Sequence, residues 1–289
     1  MATCYRHPSR ETGVSCANCG RPICPDCMTT TPVGMRCPEC SRQRTPVKTL
    51  RNTQSRPEVT LALIAINVAA FLAEGSFSIN SSPTSSVYEK GFLIGSFPGS
   101  STLGVAHGEY WRLVTSGFLH ENLLHIGFNM YILYILGSML EPALGRLRFG
   151  VIYGVSLLTG SLGALLVTPH AATVGASGAV FGIMGAAAVE MRARQIPVMQ
   201  SGVGGLILIN LVISFTLPGI SWGGHIGGLI GGALAAFILQ EGERRRAQSL
   251  ALAACGLIAV GAVLASIATS KATESPASIN QLLQSAPPS

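Results

Sequence analysis

Seven apolar segments dominate the chain after residue 58. They run approximately Val59–Ala73, Leu123–Leu140, Phe149–Val167, Ala176–Val189, Val198–Leu217, Ile220–Leu239 and Leu250–Ala268. A bilayer leaves no water for unpaired backbone groups, so apolar stretches that cross it must be helices. Only 11 % of residues are charged and mean hydropathy is +0.46, whereas a soluble domain carries roughly a quarter charged residues. The expected fold is therefore an all-α polytopic membrane protein. The first and fourth segments fall short of the ~20 residues a span needs. Pro142, Pro169, Pro197 and Pro218 are expected at helix boundaries.

Residues 1–58 have a different character. No secretory signal opens them, so the first apolar segment is expected to act as an uncleaved anchor. The region holds Cys4-x-x-His7, Cys16-x-x-Cys19, Cys24-x-x-Cys27 and Cys37-x-x-Cys40. Eight ligands at this spacing suffice for two tetrahedral zinc sites. About 40 residues have too little core to fold unaided, which gives structural zinc a purpose. Disulfides are the alternative, and the spacing leaves sequential and interleaved pairing equally open. The CxxH-first repeat resembles B-box-type zinc fingers. All four ligands of each site come from protein, so the module reads as structural, with a cytosolic protein as the partner it could dock.

Basic residues set the orientation. Sixteen of the 19 Lys and Arg lie before the first span or after the second, fourth and sixth. The positive-inside rule makes that side cytoplasmic. The cysteines then sit in a reducing compartment, which favours zinc over disulfides. The division expected is a double zinc module (1–40), a basic linker (41–57), a membrane core (58–240), a seventh helix (241–268) and a disordered extracytoplasmic tail (269–289). The long outer loop from Glu74 to Phe118 carries Tyr110-Trp111-Arg112, an aromatic–basic cluster suited to an interface.

Two small-residue helices bear reactive groups. Ser177 lies in Gly175-Ala176-Ser177-Gly178, and His225 lies in Gly223-Gly224-His225-Ile226-Gly227-Gly228. Small residues let helix backbones approach closely, and an ionisable group inside a span is a functional candidate by default. Both residues fall near the outer ends of their spans. They are expected to meet as nucleophile and general base. Packing is the bland explanation for Ser177 alone. None of the thirteen carboxylates lies in the spans beside the pair, so a Ser–His dyad is expected. Phe181, one turn after Ser177, could stack on the imidazole. His125 and Asn129 share a helix face and can donate toward an oxyanion, with the Ser177 backbone N–H as a third donor. His120, off that face, is expected to brace the outer loop. The string from His120 to His125 is one residue longer than the zinc-protease HExxH, and on a helix its histidines would diverge by about 140°. No catalytic metal is expected.

Taken in order, Trp111-Arg112, His120, His125-x-x-x-Asn129, Gly175-Ala176-Ser177-Gly178 and His225 resemble the rhomboid intramembrane serine proteases. The resemblance covers residues 59–240. It implies a six-helix rhomboid core, Ser177 as nucleophile, His225 as base, an oxyanion site at His125 and Asn129, and the fifth span as a lateral gate. The seventh helix and the zinc module lie outside that core. The implied substrates are single-span transmembrane proteins in the lipid bilayer, with no role for nucleic acid. An inactive rhomboid-like client-binding protein is the main alternative, and a transporter is disfavoured by the lack of carboxylates in the spans.

Overall fold

The computed structural model describes residues 2–31, 33–42, 56–75, 85–97, 100, 102–217 and 219–274. These form two compact units, 1–55 and 56–289. Most of the basic linker, Pro218 and the tail beyond residue 274 lie outside the described residues.

The smaller unit contains two antiparallel ribbons, β1 (Ala2–Thr3) with β2 (Glu11–Thr12) and β3 (Thr29–Thr31) with β4 (Gly34–Arg36), followed by the short helix α1 (Pro38–Arg42). Each ribbon is too short to stand alone. Its buried apolar residues are Cys4, Cys16, Cys24, Cys27, Cys37, Cys40 and a single aliphatic, Ile23.

The larger unit is a helical bundle. Its long helices are α2 (Glu58–Glu74), α5 (Leu123–Leu144), α6 (Arg146–Val167), α7 (Ser177–Ala193), α8 (Val203–Thr216), α9 (Trp222–Arg244) and α10 (Gln248–Thr273). Two short helices, α3 (Ser86–Gly91) and α4 (Arg112–Thr115), lie between α2 and α5. Among the described residues, α5, α6, α9 and α10 are long and apolar enough to cross a membrane, and α8 is a shorter apolar helix. The architecture is that of a polytopic membrane protein: six core helices and a seventh at the carboxyl end.

Several boundaries differ from expectation. Pro142 lies inside α5, two residues before its end; it forgoes its own N–H bond to the carbonyl four residues upstream but leaves the later N–H groups free to continue the helix. The helix continues to Leu144, and Gly145, at φ 84°, returns its N–H to the Glu141 carbonyl. Helix α9 continues through residue 240 to Arg244. Glu241 and Arg245 pair one turn apart there, extending a polar last turn.

Helix α2 is tied at both ends by carboxylates. The Val59 and Thr60 N–H groups donate to Glu141 of α5 at 2.9 and 2.8 Å, and the Thr60 hydroxyl donates to the same carboxylate at 2.7 Å. An anion there satisfies orphan donors and opposes the positive end of the helix dipole. At the far end, buried Glu74 accepts from the His120 N–H at 3.1 Å.

Glycine sets the spacing of the central helices. A Cβ on Gly223 or Gly227 of α9 would strike the Gly163 or Thr159 carbonyls of α6, and one on Gly231 would strike the Thr159 side chain. On the adjoining face, a Cβ on Gly228 or Gly232 would strike the carbonyls of Gly178 or Gly182 of α7. Helix α9 therefore lies in backbone contact with both neighbours, and this packing controls how near its histidine comes to α7.

Candidate active site

Ser177 is the first residue of α7, so its N–H belongs to the unsatisfied first turn of a helix. The segment before it is held on two sides. Leu93 and Thr173 exchange backbone hydrogen bonds at 2.9 Å in both directions, and the Gly175 N–H donates to the Ser116 carbonyl at 2.9 Å. Gly175 adopts φ +123°, a conformation that suits glycine. A Cβ there would lie 2.7 Å from His125 Nε2 and 3.6 Å from Ser177 Oγ, so the missing side chain leaves open the space between them.

His225, one turn into α9, is 9 % exposed, and its Nε2 lies 2.7 Å from Ser177 Oγ. The two groups separated by 48 residues thus meet within hydrogen-bond distance. Phe181 stacks on the imidazole with centroids 4.2 Å apart and planes inclined by 13°. A cavity of about 30 Å³ adjoins Ser177 and His225, bordered also by Ser116, Ser161 and Ser221. A site of that size with several polar groups has room for about one water molecule.

The remaining candidates occupy distinct places. Asn129 is buried, and its amide donates to the His125 carbonyl at 3.0 Å, leaving its second N–H for another acceptor. His120 precedes α5 instead of sitting on it, so the helical angle between it and His125 does not apply. Their rings meet edge to face at 5.1 Å, and both nitrogens of buried His120 lack a protein partner. Gly178 contributes backbone contact with Gly160 and Gly224. Trp111 is exposed and donates its indole N–H to the Lys90 carbonyl at 3.0 Å. Its neighbour corrects the interfacial expectation: Arg112 is buried. Arg112 donates to Glu109 at 2.7 Å and to the Glu89 and Phe92 carbonyls at 3.0 and 2.8 Å, with its guanidinium over the Phe92 ring. Although burial works against it, the Arg112 contact and the Gly104 N–H hold the Glu109 carboxyl below its usual range.

One participant was not anticipated. Ser214, in the last turn of α8, is buried, with its Oγ 2.6 Å from His225 Nδ1. A serine in an apolar helix gives no sign in sequence of doing more than bonding its own backbone.

In the smaller unit the cysteines form two interleaved sets. Cys4, His7, Cys24 and Cys27 converge in one, and Cys16, Cys19, Cys37 and Cys40 in the other. His7 Nδ1 lies 3.3 and 3.5 Å from the Cys24 and Cys27 sulfurs, and the Cys19 and Cys37 sulfurs are 3.8 Å apart. Four ligands about 2.3 Å from one ion would be roughly 3.8 Å from each other, so both sets fit a tetrahedral metal ion. Burial opposes ionisation of Cys4, yet donated backbone N–H groups bring it down to about 6. The same kind of contact, chiefly from Cys37, lowers Cys16 to about 6.

Comparison with known proteins converges on one family. The rhomboid domain matches residues 107–242. Rhomboid protease GluP of Bacillus subtilis (strain 168) is 33 % identical over 187 residues, 64 % of this chain and 35 % of that protein. The putative rhomboid protease YdcA of the same organism is 34 % identical over 148 residues, covering 50 % of this chain and 74 % of the relative. Rhomboid-like protease 1 of Toxoplasma gondii is 34 % identical over 136 residues, 44 % of this chain and 46 % of the relative. The chain thus spans only about a third of GluP and under half of the Toxoplasma protein.

Proposed function

Since the chain belongs to the rhomboid family, we propose that it is an intramembrane serine endopeptidase that cleaves single-span membrane proteins through a Ser177–His225 dyad. The observation that carries this reading is the 2.7 Å approach of His225 Nε2 to Ser177 Oγ. In the reaction, His225 takes the hydroxyl proton at Nε2 as Ser177 attacks the scissile carbonyl. The imidazolium returns that proton to the leaving amine, and a water then hydrolyses the acyl-enzyme with His225 again as base.

The negative charge that develops on the carbonyl oxygen would sit beside the start of α7, where the Ser177 N–H and the helix dipole favour an anion. His125, across the gap at Gly175, and the second N–H of Asn129 would complete that pocket. Gly175 and Gly178 keep it free of side chains, and Phe181 holds the imidazole ring. His120 braces His125 from behind, while Trp111 and Arg112 secure the segment that supports Thr173 and Gly175. A helical substrate hides its carbonyls in hydrogen bonds, so segments with helix-weakening residues at the cut are the favoured substrates.

The positive-inside count supports a cytoplasmic amino terminus and an extracytoplasmic carboxyl terminus, with cleavage near the outer face. On that side of the membrane the two cysteine sets would hold structural zinc in a B-box-like module. The division of the chain we favour is a zinc module over 1–40, a linker over 41–57, the rhomboid core from 58, the seventh helix and a tail. The expected bounds at 240 and 268 are corrected, because α9 runs to Arg244 and α10 covers Gln248–Thr273.

The test is cleavage of a reconstituted single-span substrate, beside fluorophosphonate labelling of the active serine. Ser177→Ala and His225→Ala are each expected to lower cleavage by about 10⁴-fold or more, as removal of a nucleophile or base does elsewhere. Retained cleavage by Ser177→Ala would refute the assignment. A wild-type chain that binds substrate without cutting or labelling would be a client-binding protein.

A further inference from the structure

A hydrogen count around His225 leads beyond the dyad. The Ser214 hydroxyl donates to the Asn210 carbonyl, one turn back, at 2.6 Å. The same oxygen lies 2.6 Å from His225 Nδ1. A hydroxyl has one hydrogen and two lone pairs. With its hydrogen given to Asn210, Ser214 can only accept from His225, so Nδ1 carries the ring proton. The neutral imidazole then has a bare Nε2, which accepts the Ser177 hydroxyl. All three bonds point the same way: Ser177 to His225, His225 to Ser214, Ser214 to the Asn210 carbonyl.

We propose that Ser214 is a positioning residue that stands where a triad would place an acid, holding His225 in the tautomer and orientation needed to accept the Ser177 proton. The proposal rests on the reading of Ser177 and His225 as a catalytic dyad and names the group that prepares the base.

Two features make a hydroxyl adequate in this role. A carboxylate buried in a span would need strong compensation for its charge, whereas a serine already bonded to its helix costs little. Ser214 also lies in the last turn of α8, whose unsatisfied carbonyls form the negative end of a helix dipole. That end favours the imidazolium that forms when Ser177 gives up its proton. The dyad is thus bracketed by two helix ends, the positive start of α7 at the nucleophile and the negative finish of α8 at the base.

The support is borne by a lightly held helix. Within α8 only Val203, Gly204, Asn210 and Ser214 are buried, while Leu208, Ile209, Val212 and Phe215 are each more than half exposed. Two of the four buried residues belong to the hydrogen-bond chain, and the seating of α8 therefore decides whether His225 has its partner.

The test compares Ser214→Ala and Ser214→Thr with the wild-type chain in proteoliposomes, measuring kcat, KM, fluorophosphonate labelling and thermal stability. Loss of tautomer control in an acid-supported triad costs about 10⁴-fold. The weaker hydroxyl is expected to account for ~10- to 100-fold, so Ser214→Ala should lose that much kcat and labelling rate while KM changes less than about twofold. Its melting temperature should match the wild type, and Ser214→Thr, which keeps the hydroxyl, should recover most of the rate. A Ser214→Ala chain with wild-type kcat would overturn the proposal and leave the dyad standing. Loss of rate that Thr fails to restore, accompanied by a fall in melting temperature, would overturn it by reducing Ser214 to a packing residue. A wild-type chain that neither cleaves nor labels would remove the dyad and this proposal together.

Discussion

The two units of the chain reach order by opposite means. Among its described residues, the smaller unit buries six cysteines and one aliphatic residue, Ile23. Burying an isoleucine is worth about 1.5–3 kcal/mol, whereas a structural zinc in a small finger contributes roughly 10–16 kcal/mol. Its interior is two sets of residues that could hold a metal ion, and under the proposed reading those ions would supply most of what holds it. The larger unit buries glycine, alanine and aliphatic faces, and its reactive groups are positioned by how closely backbones pack. One unit uses its polar side chains to create structure. The other uses structure to keep a few polar side chains available.

Removing metal gives the largest contrast. A strong chelator should abolish the ordered β signals of residues 2–42 completely, while fluorophosphonate labelling of Ser177 stays within about twofold of its starting rate, because structural zinc supplies folding energy only where its ligands are. Loss of labelling in step with metal loss would show that the units depend on one another. The converse experiment is Gly228→Val. A side chain there meets the Gly178 carbonyl and must push α9 from α7. Misplacing a catalytic group by about 1 Å can cost 10²-fold, so cleavage should fall by about that factor or more. Metal content should remain two ions per chain. Normal activity in this variant would mean that the glycine contacts between α9 and α7 do not set the dyad distance.

The contrast also governs what could be read from sequence. Runs of apolar residues announced the seven long helices, because length and polarity are one-dimensional properties. Ser177 and His225 stood out because each reactive group was surrounded by glycine, and the structure brings the two together. In the smaller unit the ligand types were legible but their pairing was not. CxxC spacing is local, while the interleaving of Cys4 and His7 with Cys24 and Cys27 depends on how the ribbons cross. Ser214 was hidden for a related reason. Its partner lies eleven residues away on another helix, and nothing in the α8 pattern distinguishes it from a serine that bonds only its own turn. Burial of Arg112 leaves no mark in the sequence, because an arginine next to a tryptophan has an interfacial pattern and its acceptors are mainly backbone carbonyls.

A smaller effect is expected at Phe181. Its stack on His225 is an aromatic contact of the kind worth about 0.5–1.5 kcal/mol, so Phe181→Leu should slow cleavage by ~2- to 10-fold with KM nearly unchanged. An unchanged rate would show that the backbone packing of α9 against its neighbours holds the imidazole without the stack. Comparison with Gly228→Val then ranks packing of backbones against packing of side chains within the same site.

Acid gives the finest comparison, because both units contain groups that must stay ionised. The Glu109 carboxyl, held below its usual range despite its burial, contributes stability above the ordinary carboxylate pKa. That contribution is lost as pH falls through its depressed folded value. In the smaller unit a metal ion requires thiolates, so protons compete for its ligands at higher pH. The two tryptophans, Trp111 and Trp222, both lie in the larger unit. In a Trp222→Phe chain, fluorescence from Trp111 should hold steady while the smaller unit releases metal, and change only below about pH 4, the usual carboxylate range. Glu109→Gln should remove that acid step, at the expense of a lower melting temperature near neutrality. If Trp111 responds at the pH of metal release, the segment around Arg112 owes its order to the smaller unit and not to its own ion pair.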